Sequence, residues 1–166
     1  MIYKPTTTKV PFLHVYNDVT SYTGSATEAV IQYDTISEDN MGGYDVSTYK
    51  YTVKESGLYY GTASVAWGKG GGGTSTYTSI RIRKETYYSD GTVQGAEFMD
   101  FGDYFAAKDS YPQAEDHTQN VSGLIRLVVG DIVYVSGEWY DKTGIVIKGE
   151  QTFLGMHYFT LLKVGE

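Results

Sequence analysis

Residues 57–67 read Gly-Leu-Tyr-Tyr-Gly-Thr-Ala-Ser-Val-Ala-Trp. In an extended strand, alternate side chains share a face. Tyr59, Gly61, Ala63, Val65 and Trp67 therefore lie together. Small residues among the large ones mark a face that a neighbour approaches closely. This long period-two segment constrains the chain to build sheet. The same period recurs in residues 10–16, where Val10, Phe12 and His14 face one way and Leu13 and Val15 the other. In residues 77–85, Ile80 and Ile82 point in and Arg81 and Arg83 point out. Further strands are expected at residues 29–36, 49–53, 95–106, 122–129, 132–135 and 152–164. Turn-rich polar text separates them at residues 17–26, 37–43 and 108–119, and Ser89-Asp90-Gly91 is a tight-turn signal. Few stretches carry a 3.6-residue apolar period. Some ten short strands, with no repeat and no linker, predict a single all-β domain, a sandwich or barrel.

Composition narrows the function classes. A chain of 166 residues can bury a sizeable core as one domain. Its 17 tyrosines and 20 glycines against 3 prolines favour strands and turns. A net charge of -7 argues against general nucleic-acid binding and against docking on anionic membranes. With no cysteine, disulfides, thiolate metal sites and cysteine nucleophiles are excluded. Met1-Ile2-Tyr3-Lys4-Pro5 lacks the apolar run of a signal peptide, so synthesis in a cytosol is expected. No run reaches the ~18 apolar residues of a membrane helix. Residues 1–8, with Pro5 and a threonine run, read as an extended arm ahead of a domain at residues 9–166.

Between residues 33 and 60, Tyr33, Asp39, Tyr44, Tyr51, Gly57 and Tyr59 recur as an aromatic, an acid, two aromatics and a Gly-x-Tyr. Residues 127–135, Leu-Val-Val-Gly-Asp-Ile-Val-Tyr-Val, form a Leu-x-x-Gly-Asp-x-Val-aromatic-aliphatic hairpin. Phe153-Leu154-Gly155 precedes the last strand, and Val10-Pro11-Phe12 opens the first. These motifs, in this order, resemble the C1q-like domain of the C1q/TNF superfamily across residues 9–164. The resemblance implies a ten-stranded antiparallel jelly-roll sandwich that assembles as a homotrimer and binds rather than catalyses. It also implies that Tyr59, Tyr60, Tyr134 and Phe159 lie on strands lining the trimer interior. Two departures stand out: Gly61 and Ala63 replace the aromatics that usually follow Gly-x-Tyr. Trp67, Phe98 or Phe159 are expected to fill that space. There is no collagen-like stalk.

No constellation of catalytic residues emerges. The glycine run at residues 68–73 lacks the Lys-Ser/Thr ending of a phosphate loop and precedes no helix. His14, His117 and His157 have no ligand spacing, although His14 and His157 fall on first and last strands that neighbour each other in jelly rolls. Asp100 with Asp103, Glu115 with Asp116, and Glu38 with Asp39 read as solvated loop carboxylates, with paired acid–base work the alternative. Calcium is left open, with no residue assigned; no other cofactor is expected. The sequence-level expectation is a non-enzymatic virion surface component, a bacteriophage capsid decoration protein or fibre head. It would attach to a capsid or tail protein through Met1, Ile2, Tyr3, Lys4 and Pro5. The alternative is a recognition module, extracellular or at a cell surface, reading a host glycan or protein through loops at residues 68–74 and 108–119.

Overall fold

The computed structural model describes residues 9–18, 21–22, 28–69, 77–87, 93–97, 117–140, 145–147 and 157–166. The described residues contain thirteen strands and no helix. They are β1 (Phe12–Tyr16), β2 (Ser21–Tyr22), β3 (Glu28–Val30), β4 (Thr35–Asp39), β5 (Tyr44–Asp45), β6 (Lys50–Thr52), β7 (Gly57–Lys69), β8 (Tyr77–Tyr87), β9 (Val93–Glu97), β10 (His117–Leu127), β11 (Ile132–Tyr140), β12 (Ile145–Ile147) and β13 (Tyr158–Gly165). The expected arm at residues 1–8, the loop at residues 70–74, Phe98, Asp100, Asp103, residues 108–116 and the segment at 153–155 fall outside the described residues.

A seven-stranded sheet runs β2-β12-β7-β13-β1-β4, with β10 also on β7; a six-stranded sheet runs β5-β6-β11-β8-β9, with β3 also on β11. All pairings are antiparallel. β7 organises the first sheet: β13 and β12 share one of its edges, and β10 follows the other along eleven residue pairs, Gly57↔Leu127 to Trp67↔His117. β11 plays the same part in the second sheet, with β8 on one side and β6 and β3 on the other.

The predicted inward set of β7 is the core. Tyr59, Ala63, Val65 and Trp67 are buried with Leu13, Val15, Ile82, Phe159 and Leu161. Gly61 leaves the space into which Ile82 and Leu161 pack: a Cβ there would sit 3.2 Å from Ile82 and 3.3 Å from Leu161. Aliphatic side chains thus take part of the volume left by the missing aromatics, with Trp67 and Phe159 also in the core. Trp67 is held by its indole N–H, which donates to Gln119 Oε1 at 2.8 Å.

The expected strand at residues 29–36 is two strands in different sheets. β3 pairs with β11, and β4 pairs with β1. Between them the chain crosses the sandwich, burying Ile31 and Tyr33 in the core as it passes. The acidic stretch read as a loop at residues 37–43 begins inside β4. It is an edge strand among the described residues, and charged residues are tolerated there because one side meets water.

A tight inter-sheet contact gives a testable consequence. A Cβ on Gly137 would lie 2.7 Å from Ile31 Cδ1 and 2.8 Å from Trp67 Cη2. Neither neighbour is free to retreat, since both are fully buried. Gly137→Ala should therefore cost about 1–3 kcal/mol through overpacking. Urea denaturation checks this, and a loss within about 0.5 kcal/mol would show that the core yields there.

Candidate assembly face

The two outward faces of the sandwich differ in chemistry. On the six-stranded sheet, β8 points its odd-numbered and β11 its even-numbered side chains outward, so that Arg81, Arg83, Glu85, Tyr134, Ser136 and Glu138 share the outer surface. These groups are paired. Arg81 meets Glu138 at 2.7 Å, and Lys50 meets Glu85 at 3.1 Å. Arg83 lies along the sheet, donating to Ser136 Oγ at 2.7 Å and pairing with Glu28. Arg83 does point outward, as the alternation predicts, yet it is buried. Its aliphatic stem lies flat across the strands instead of extending into water. Lys50 Nζ stands 4.3 Å above the Tyr134 ring. Burial, with the Glu85 carboxylate adding to it, pushes the Tyr134 phenol up to about 12.

On the seven-stranded sheet the outer surface is built from transverse rows, each set by strand register. Phe12, Leu162, Tyr60 and Leu124 form one row across β1, β13, β7 and β10. Leu162 is 37 % exposed, Tyr60 41 % and Leu124 53 %, while Phe12 is half-buried. Val10 and Val164, 55 % and 49 % exposed, lie toward the same end of the sheet, because β1 and β13 run antiparallel. The next row is polar: His14, Thr160, Thr62 and Ser122. Beyond it come Tyr16, Tyr158, Ser64 and Asn120. The face is therefore graded, apolar at one end and hydroxyl-rich toward the other. The rows across these four strands hold no carboxylate or cation; Glu38 on β4 pairs with His14 at the edge of the polar row, and exposed Arg126 follows Leu124 on β10 toward the apolar end. Adjacent exposed apolar side chains in register, unlike scattered ones, mark an interaction surface.

The four residues expected at a trimer interior occupy three places. Tyr60 is on the graded face. Tyr59 and Phe159, each 1 % exposed, are inside the core, where a neighbouring chain has nothing to touch. Tyr134 is on the opposite sheet, under Lys50. The split has a simple origin: successive residues of a strand point to opposite sides, so Tyr59 and Tyr60 cannot both lie on the outer surface. Phe12, Leu124 and Leu162 are the row members the sequence reading missed. The missing signal is long-range register, which joins residues far apart in the chain.

Of the two histidines expected to approach, His14 is on β1 and His157 immediately precedes β13, the strand that pairs with β1, and they face apart. His14 lies on the outer surface, with Nδ1 2.8 Å from Thr160 Oγ1. His157 is enclosed against Tyr33. Asp39 spends its carboxylate on the backbone: Oδ1 accepts the amides of Met41 and Gly42, and Oδ2 accepts that of Tyr44. Buried Asp131 does likewise, accepting the Val128 amide and the Thr86 hydroxyl. Both act as loop organisers. Among the described residues no group of three or more His, Asp or Glu side chains is placed to hold a metal ion, and no helix is long and apolar enough to cross a membrane.

No protein-family model matches the sequence, and no curated protein sequence matches it. Solved structures do match in shape. Murine APRIL at pH 8.0 superposes with a TM-score of 0.60 at 10 % identity, covering 94 % of this chain and 100 % of that one. The Eiger TNF of S. frugiperda gives 0.62 at 11 %, covering 95 % and 94 %. The globular domain of zebrafish complement 1qA gives 0.56 at 12 %, covering 94 % and 98 %. At such identities the likeness speaks to fold, and it extends over nearly the whole chain: this protein is an all-β, antiparallel jelly roll of the C1q/TNF type.

Proposed function

We propose that the chain is a non-enzymatic binding module that assembles as a homotrimer through the graded face of its seven-stranded sheet. The observation that carries this reading is the register-aligned row Phe12, Leu162, Tyr60 and Leu124, of which the last three are exposed and Phe12 half-buried in the single chain. Burying such a row against copies of itself removes apolar surface from water without stranding a charge. The opposite face, with its ion pairs already closed, gains little from a partner. The trimeric expectation carried by the sequence resemblance agrees with this choice.

We further read the module as a virion surface component, a bacteriophage decoration protein or fibre head, with residues 1–8 as its attachment segment. A cysteine-free chain and a Pro- and Thr-containing leading segment support that use. The test is light scattering on the full chain and on a chain starting at Lys9. The full chain should give three times its 18.4 kDa, and the shortened chain three times its own smaller mass, since no residue of the row lies in the leading segment. Capsid binding should be lost with residues 1–8. A monomeric full chain overturns the assembly reading. Capsid binding that survives truncation overturns the attachment reading and favours recognition through the loops instead.

A further inference from the structure

The end of the sandwich where β1 finishes and β13 begins encloses a histidine. His157 is 1 % exposed, and neither ring nitrogen has a hydrogen-bond partner of ordinary geometry. Its ring stands edge-on to Tyr33, with centroids 6.0 Å apart at 69°. Tyr33 in turn stacks on Phe159 at 6.2 Å. The His157 carbonyl accepts the Asn17 amide at 3.3 Å, extending the β1·β13 ladder past its last pair, Tyr16 with Tyr158. A buried polar ring without a well-formed hydrogen bond is a poor choice for a core on packing grounds alone. What distinguishes imidazole from a phenyl ring of similar size is that it gains a proton in mildly acidic water.

We propose that His157 is an acid-operated latch: protonation of the enclosed imidazole unseats it from Tyr33 and opens the junction between the end of β1 and the start of β13. Few groups face the ring among the described residues. The connection between β3 and β4 supplies the Tyr33 phenol and the Asp34 carboxylate. β7 supplies the Ala66 backbone, and β13 supplies the Tyr158 phenol beside Tyr33. Asp34 is the one charged group of the set, and its Oδ1 also accepts the Asp18 amide and the Thr35 hydroxyl. Desolvation by burial outweighs what Asp34 and the Ala66 backbone offer a cation, and pushes the imidazole down from 6.5 to about 4. The folded value lies below the unfolded one. Hence between pH 6.5 and 4 the opened chain holds the proton more tightly than the closed one. The closed form is fully favoured above that window and loses its advantage as the pH falls through it. The latch belongs to the single chain and stands whether or not copies assemble.

The measurement is amide hydrogen exchange at Asn17, corrected for intrinsic rates, on the wild-type chain and on His157→Phe. Between pH 7 and pH 4.5 the wild-type opening constant should rise roughly 50-fold from this one group. In His157→Phe that part of the rise should vanish, leaving only the acid response of the carboxylates. Imidazole NMR on the wild-type chain gives a second readout that needs no variant, and the ring should titrate near 4. A ring that titrates at its ordinary pH without opening the Asn17 amide overturns the latch. So does a Phe variant with the same acid response as the wild type.

Discussion

A chain carrying both Tyr60→Glu and Leu124→Glu should run as a monomer at concentrations where the wild type is a trimer. The two positions are directly paired across β7 and β10, and both project outward. Placing carboxylates there leaves the core untouched, because Tyr59 and Ile125 on the inner surface are unchanged. In an assembled state each glutamate would be buried without a cation. Central interface residues typically contribute ~2 kcal/mol or more each, and two of them correspond to a loss of about a thousandfold in affinity. Light scattering reads the outcome directly. Val46→Glu, on the turn after β5, is the matched control: it is an exposed valine off this face and should leave the mass unchanged. A double variant that remains trimeric would place the contact on another surface.

Asp39→Ala should produce the largest loss of stability among the polar residues of the described loops. Its carboxylate accepts the amides of Met41, Gly42 and Tyr44 at 3.2, 2.9 and 2.8 Å. The effect propagates inward. Tyr44 donates its hydroxyl to the Tyr33 carbonyl, and Tyr33 donates to the Ser64 carbonyl on β7. One surface carboxylate thus fixes a turn whose aromatic ring ties the crossing segment to the core. Charge-assisted hydrogen bonds are worth ~1.5–3 kcal/mol each, but bonds to one carboxylate are not additive. A total of about 3 kcal/mol is expected, lowering the melting midpoint by roughly 6–12 °C. Asp39→Asn keeps one acceptor oxygen and should lose about half as much. A drop of under about 2 °C in the alanine variant would mean that solvent replaces the carboxylate without cost.

How much of this was legible in the sequence depends on the range of the interaction involved. Alternation along one strand is local, so the split of Leu13 and Val15 from Phe12 and His14, and the face shared by Tyr59, Ala63, Val65 and Trp67, were legible; the structure shows that Leu13 and Val15, and that shared face, lie in the core. The Asp39–Tyr44 and Gly130–Asp131 motifs are also local, since each organises a turn with its near neighbours. The crossing at Ile31–Asp34 was not visible. Crossing between sheets changes which strand is adjacent without breaking the apolar run. The candidate face was hidden for a related reason. Phe12, Tyr60, Leu124 and Leu162 are separated along the chain, and only β-sheet register sets them side by side. The family resemblance pointed to the strands of Tyr59, Phe159 and Tyr134, but a single alternation step or a change of sheet takes these side chains off that surface.

The grading of the outer rows also restricts how copies can meet. In the proposed trimer, apolar rows meet apolar rows when neighbouring chains point the same way, with their Val10 and Val164 ends together. A head-to-tail arrangement would set Tyr60 and Leu162 against His14 and Thr160, burying hydroxyls beside hydrocarbon. In the proposed trimer the symmetry axis would therefore run along the strands, not across them. An assembly built on it has a distinct base, and every Lys9 leaves from that base on the same side.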